Sequence, residues 1–200
     1  MPFKFSFNSF AIRTTRSVHE DTDYFGMGFF VNGVSHGTLV QRAGNVNNGT
    51  YNVQDMDFLL DSFLTTDKLV INYLIINHGG GKAQDVLTDC QNALNQPVIK
   101  TFNALDAAPF VKLGRSLPNC LASTLHDINP LWDGVKSQFN GLSSDRCDGP
   151  VAIDRISFKG ESLTGIESAS PISIIFEGIP SAVGCGSNSY YSVQWGITAV

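Results

Sequence analysis

Two hundred residues, 42% of them hydrophobic and 16% charged with fourteen Phe, make a globular composition and exclude a disordered chain. A chain this long buries roughly 70% of its unfolded surface, so one domain over 1–200 needs no staple to hold its core. Thirteen basic against eighteen acidic residues, with no two basic residues adjacent, exclude the clustered positive surface that nucleic acid requires.

The chain opens on Phe3, Phe5 and Phe7 alternating with polar residues, which predicts a strand and lacks the continuous apolar stretch of a secretory signal. Tyr24 to Val31, Gly37 to Arg42 and Thr50 to Phe58 are further strand candidates, punctuated by Gly33, Gly44 and Asn47-Asn48-Gly49. Leu69 to Asn77 is almost wholly apolar and β-branched, the pattern of a central strand covered on both faces. Its apolar run is interrupted at Asn72 and is far short of the ~20 residues a membrane span needs, so no transmembrane segment is expected. The expected location is the cytoplasm, or outside the cell after cleavage or by a non-classical route.

After Gly79-Gly80-Gly81 the period changes. Ala83, Val86, Leu87, Cys90 and Leu94 fall at helical spacing, and the pattern continues over Val98 to Leu113 and Leu117 to Phe139, broken at Asn129-Pro130. Strand periodicity returns at Val151 to Lys159, Ile172 to Glu177 and Tyr190 to Ile197. The expected fold is therefore mainly β (α+β): an antiparallel β-sandwich-like sheet whose β-rich halves, 3–77 and 150–198, pair across a helical insertion over 82–141.

Chemistry is densest at His19, Glu20, Asp21 and Asp23, an imidazole and three carboxylates within five residues. Carboxylates two apart can curl around one hard cation, which predicts Ca²⁺ held by Asp21 and Asp23, with further oxygens from Asn45, Asn47, Asn48 or Asp148. A solvated salt-bridge network of Arg13, Arg16 and these acids, with Asp21 or Asp23 capping a turn, fits the same residues. No His pair or H-E-x-x-H run marks a zinc site, no G-x-S-x-G elbow marks a nucleophile, and Gly79-Gly-Gly-Lys82 lacks the phosphate-loop frame. Cys90, Cys120, Cys147 and Cys185 allow three pairings, among them Cys147 with Cys185 across turn-rich sequence. Tyr190, Tyr191 and Trp195 add aromatic planes beside Asn188, a combination that holds a sugar, although core packing explains Trp195 more simply.

The segments Ser17-Val-His-Glu-Asp-Thr-Asp-Tyr24, Gly44-Asn-Val-Asn-Asn-Gly49, Cys147-Asp-Gly-Pro-Val-Ala152 and Gly184-Cys-Gly-Ser-Asn-Ser-Tyr190 resemble those of a group of bacterial and fungal proteins. The resemblance implies an architecture in which the four motifs belong together, converging at one end of the sheet, and no particular activity.

The functional expectation is a non-enzymatic binding module of lectin-like or defence type, taking a small-molecule or glycan ligand through His19, Glu20, Asn47, Asn188 and Tyr190 and Ca²⁺ through Asp21, Asp23, Asn45 and Asp148. A homo-oligomer is compatible with it. Two other classes remain: a glycoside or related hydrolase using His19, Glu20 or Asp21 as acid and base, and a membrane-active or structural protein.

Overall fold

The computed structural model describes residues 2–17, 21–95, 136–163, 172–179, 183, 185–186 and 188–200. Among the described residues, nine strands build two antiparallel sheets: β1 (Phe3–Thr14), β2 (Asp21–Val31), β3 (Val34–Val46), β4 (Gly49–Asn52), β5 (Asp57–Leu60), β6 (Lys68–Asn77), β7 (Gly149–Lys159), β8 (Ile172–Glu177) and β9 (Tyr190–Ala199). One sheet runs β4-β1-β9-β8 with β5 also on β1, and the other runs β3-β2-β6-β7. The chain is thus a mainly β, sandwich-like fold, and β1 from the first half pairs with β9 from the second along almost its whole length.

The sheets face each other through an aromatic core. Phe3, Phe5 and Phe7 point inward, a register shift at Asn8 resets the alternation, and Phe10 and Ile12 then continue the inward row. Opposite them stand Phe25, Met27 and Phe29 of β2, Leu69, Ile71, Tyr73 and Ile75 of β6, and Phe158 of β7. Trp195 lies in this core, edge-on to Phe158.

The second sheet also buries its outer face, against the helix α1 (Ala83–Leu94), whose Val86, Cys90, Ala93 and Leu94 pack on Tyr24, Leu74, Ile76 and Ile153. This is why β6 reads as apolar on both faces: it is a central strand between the core and α1.

Three boundaries differ from the sequence expectation. The candidate at 50–58 is two strands, because Asp55 takes the left-handed conformation (φ 58°) and the chain hops along β1 from Ile12–Ser9 to Ser6–Phe3. β3 runs through Gly37 and Gly44, whose positive φ values fall where its register against β2 shifts, so those glycines bend the strand instead of ending it. Of the expected helix at 117–139, the described residues hold a short 3-10 turn at Lys136–Gln138. The segments 98–113 and 117–135 lie outside the described residues, as do Val18, His19 and Glu20. Among the described residues, no helix is long and apolar enough to cross a membrane.

Candidate functional site

The pairing registers bring the polar segments to one end of the sandwich. Asp21 stands opposite Val46, Asp23 opposite Asn77, Asn77 opposite Gly149, Thr14 opposite Tyr190, and Ile12 opposite Gly49. Residues 14–17, 21–23, 45–49, 77–80, 147–150 and 188–191 therefore share that end.

Beneath the surface lies a sealed polar cluster. Asp21 and Asp23, expected on a loop, belong to β2, and alternation turns both side chains into the sandwich, where neither is exposed (0%). Asp21 accepts from the backbone amides of Arg16 (2.8 Å) and Ser17 (2.7 Å), so it fastens the turn leaving β1. The Tyr191 hydroxyl, from β9 in the other sheet, sits 2.7 Å from Asp21 Oδ2 and 2.8 Å from Asp23 Oδ2. Arg16, also buried (1%), donates through Nη2 to the carbonyl oxygens of Pro150 and, at 3.0 Å, Ile179, tying the β1–β2 turn to β7 and to the exit of β8. Arg16 is therefore no part of a solvated network.

Burial sets the electrostatics here. Desolvation lowers the Arg16 guanidinium to about 10, opposed by the attraction of Asp21, so it stays charged at neutral pH. Desolvation and then the neighbouring Asp21 push the Asp23 carboxyl well above its ordinary value, and burial likewise raises the Tyr191 phenol. The buried Arg16 charge already acts on both carboxyls, and the Asp21 oxygens are held by two amides and a phenol. A Ca²⁺ ion at Asp21 and Asp23 would have to displace those bonds and sit beside a buried guanidinium.

A second cluster anchors the segment before β7. Asp148, expected among the metal ligands, is buried and accepts from Gly79 N (2.9 Å) and Ser143 N (2.8 Å), with His78 Nδ1 and Arg146 Nε each 3.5 Å from its Oδ2. A carbonyl cannot donate, so His78 Nε2, 2.9 Å from Asn140 O, carries the hydrogen. The Arg146 side chain lies over Gly79 and Gly80, where a Cβ on Gly80 would come within 2.9 Å of the guanidinium carbon. The triple glycine thus makes room for an arginine and not for a phosphate. Asn77 completes the cluster: its Oδ1 accepts from Thr22 N, and its Nδ2 reaches Ser17 Oγ and the carbonyls of Arg146 and Cys147. Cys147 and Cys185 form a disulfide that joins the start of β7 to the segment leading into β9.

The exposed residues at this end are of another kind. At the β3–β4 turn, Tyr51 Oη accepts from Asn47 N and donates to Asn47 O, both at 2.7 Å, so the Asn47-Asn48 tip is held rigidly in solvent. Asn45, exposed on β3, accepts from Thr22 Oγ1 at 3.0 Å. Arg13 is the extra residue at the register shift between Ile12 and Thr14, and its guanidinium lies 5.0 Å from the centre of the half-exposed Tyr190 ring. Asn188 is exposed and reaches Arg16 O at 3.4 Å. Asn45, Asn47, Asn188 and Tyr190 thus lie outside the buried clusters, while Asp21, Asp23 and Asp148 lie within them. His19 and Glu20 lie outside the described residues.

The sequence put Arg16 in a solvated network and Tyr191 among the sugar-facing aromatic planes, where the structure buries both, and gave Asn77 no role beyond the end of a strand. Period-2 alternation about the inward Val193 and Trp195 was the available signal for Tyr191. Among the described residues, no group of three or more His, Cys, Asp or Glu side chains is arranged to hold a metal ion. Comparison of the chain with protein-family models, with curated proteins and with solved structures finds no match.

Proposed function

We propose that the protein is a non-enzymatic, lectin-like binding module whose ligand site is the exposed strip formed by the Asn47-Asn48 tip, Arg13, Tyr190 and Asn188. The observation that carries this reading is their order across one sheet edge. The tip enters β4, Arg13 stands on β1 and Tyr190 on β9, three neighbouring strands. Two interstrand spacings of about 4.8 Å make a strip about 10 Å wide, the size of one or two sugar rings. An aromatic ring covers the apolar face of a sugar, and amides and a guanidinium take its hydroxyls or a carboxylate.

The buried clusters support binding over catalysis. A general acid must reach the substrate, and among the described residues the one carboxyl held far above its ordinary range, Asp23, is closed off in the core. Calcium is not carried into the proposal, for the reasons of charge and hydrogen bonding at Arg16 and Asp21. The Cys147–Cys185 disulfide favours a working life in an oxidising compartment.

The test is a screen of immobilised neutral and acidic glycans, followed by calorimetry on any that bind. Tyr190→Ala and Arg13→Ala should each weaken binding about tenfold or more, equivalent to about 1.4 kcal/mol. Binding that survives both substitutions, or no glycan bound at all, would sink the reading.

A further inference from the structure

Three buried oxygens meet at Tyr191: its own Oη, Asp21 Oδ2 at 2.7 Å and Asp23 Oδ2 at 2.8 Å. A phenol carries one hydrogen and can donate it to one carboxylate. If both acids were ionised, the second contact would press a carboxylate onto the phenol oxygen with nothing between them, inside a core that excludes water. Two contacts of this length need two hydrogens, so one carboxyl must bring its own.

The surrounding bonds identify which. Asp21 accepts from two backbone amides and lies in the field of Arg16, all of which favour its anion. Among the described residues, Asp23 Oδ1 has no partner and Asp23 receives no backbone amide, as expected of a neutral acid donating from its other oxygen. From the geometry we infer that Asp23 is a built-in proton-binding residue, donating to Tyr191 Oη while Tyr191 donates to anionic Asp21, so that a single bound proton clasps β2 of one sheet to β9 of the other.

Among the described residues, the charged and titratable groups acting on Asp23 are Asp21 on its own strand, Tyr191 on β9 and Arg16 just after β1. From the β6 and β7 side, Asp148 and His78 lie together and bond to Gly79, Gly80, Ser143 and Asn140. The sign follows from the raised value of Asp23. The folded protein holds a proton that the unfolded chain releases near 3.8, so the clasp is at full strength below that pH and weakens as pH rises toward the folded value. The protein should therefore be built for the acid side, with alkali loosening the end of the sandwich that carries Tyr190.

The experiment compares wild type with Asp23→Asn and Asp21→Asn by urea unfolding between about pH 5 and about pH 9. The Asp23→Asn amide donates to Tyr191 as the neutral acid does. The gap between this variant and wild type should widen in its favour as pH rises, approaching tenfold in the unfolding equilibrium per pH unit, the mark of one proton. Asp21→Asn should be destabilised at every pH, because it weakens the acceptor of the Arg16 and Ser17 amides and removes the negative charge that offsets the buried guanidinium. A gap independent of pH, or one in which Asp21→Asn and not Asp23→Asn gains with pH, would overturn the assignment. Infrared spectra of wild type alone provide a readout that does not depend on any variant folding. The carbonyl band of a neutral carboxylic acid should persist at neutral pH, and its absence would dismiss the shared proton. Neither measurement uses a ligand, so the clasp and the proposed glycan site stand or fall separately.

Discussion

Leu94, in the last turn of α1, covers Gly26 of β2 so closely that a Cβ there would lie 2.8 Å from Leu94 Cδ1, 2.7 Å from Val40 Cγ1 and 2.9 Å from the carbonyl oxygen of Leu39. Gly28, two residues on along the same face, would place a Cβ 3.2 Å from Leu94 O. The alternate glycines of β2 are thus the seat of the helix. Gly26→Ala meets a backbone atom that cannot rotate aside, and overpacking of this kind costs about 1–3 kcal/mol. Urea unfolding should register that loss, while the exposed Gly33→Ala, at φ +80°, suffers only backbone strain. Equal stability of Gly26→Ala and wild type would mean that α1 does not sit on β2 as described.

This seat also marks how far the sequence could be read. The periodicities of Leu69–Asn77 and of Ala83–Leu94 announced a doubly covered strand and an amphipathic helix, and Ile172–Glu177 was legible to the residue. Long periodic segments carry their own signal. The burial of Arg16 had none, because the two carbonyls that receive its guanidinium lie 134 and 163 residues away. Asp21 and Asp23 misled for a related reason. Beside His19 and Glu20 they look like a loop, and only the pairing of β2 with β3 and β6 turns them inward. Trp195 was read as core and is core.

Trp195 offers a sharp test of that core, since its indole Nε1 is buried without a hydrogen-bond partner among the described residues. Its replacement by Phe removes an unsatisfied donor along with ring area. The two effects oppose each other, a desolvation penalty of about 1–3 kcal/mol relieved against lost packing. Trp195→Phe should therefore stay within about 1 kcal/mol of wild type in chemical unfolding, whereas Trp195→Ala should lose about 3–5 kcal/mol. A Phe variant as damaged as the Ala variant would show that the indole N–H is bonded in solution.

The disulfide and the buried thiol of Cys90 should separate cleanly. Cys147 and Cys185 close a loop with a sequence separation of 38, for which the chain-entropy model gives about 4 kcal/mol of stabilisation. Reduction, or the double change Cys147→Ser with Cys185→Ser, should lower unfolding stability by that order. Cys90 is different: burial under α1 pushes its thiol up to about 12, so it stays protonated and shielded. Under native, non-reducing conditions a thiol reagent should leave Cys90 unlabelled and react with it only after denaturant is added. Rapid native labelling of Cys90 would contradict the packing of α1 on the sheet.

Calcium is the remaining discriminating measurement. A ligand at a hundredfold its dissociation constant adds about 2.7 kcal/mol of stability, an effect that a thermal melt resolves easily. With Arg16 charged beside Asp21, and Asp21 bonded to Arg16 N, Ser17 N and Tyr191, a divalent ion gains little there and loses several hydrogen bonds. Melts in chelator and in millimolar Ca²⁺ should therefore coincide for wild type. If Ca²⁺ instead raised the melting temperature, Asp21→Asn and Asn45→Ala would divide the two routes open to it. Loss of the rise in Asp21→Asn alone would mean the ion enters the buried cluster and displaces the Arg16 charge. Loss in Asn45→Ala alone would put it on the exposed edge of β3, above an intact clasp.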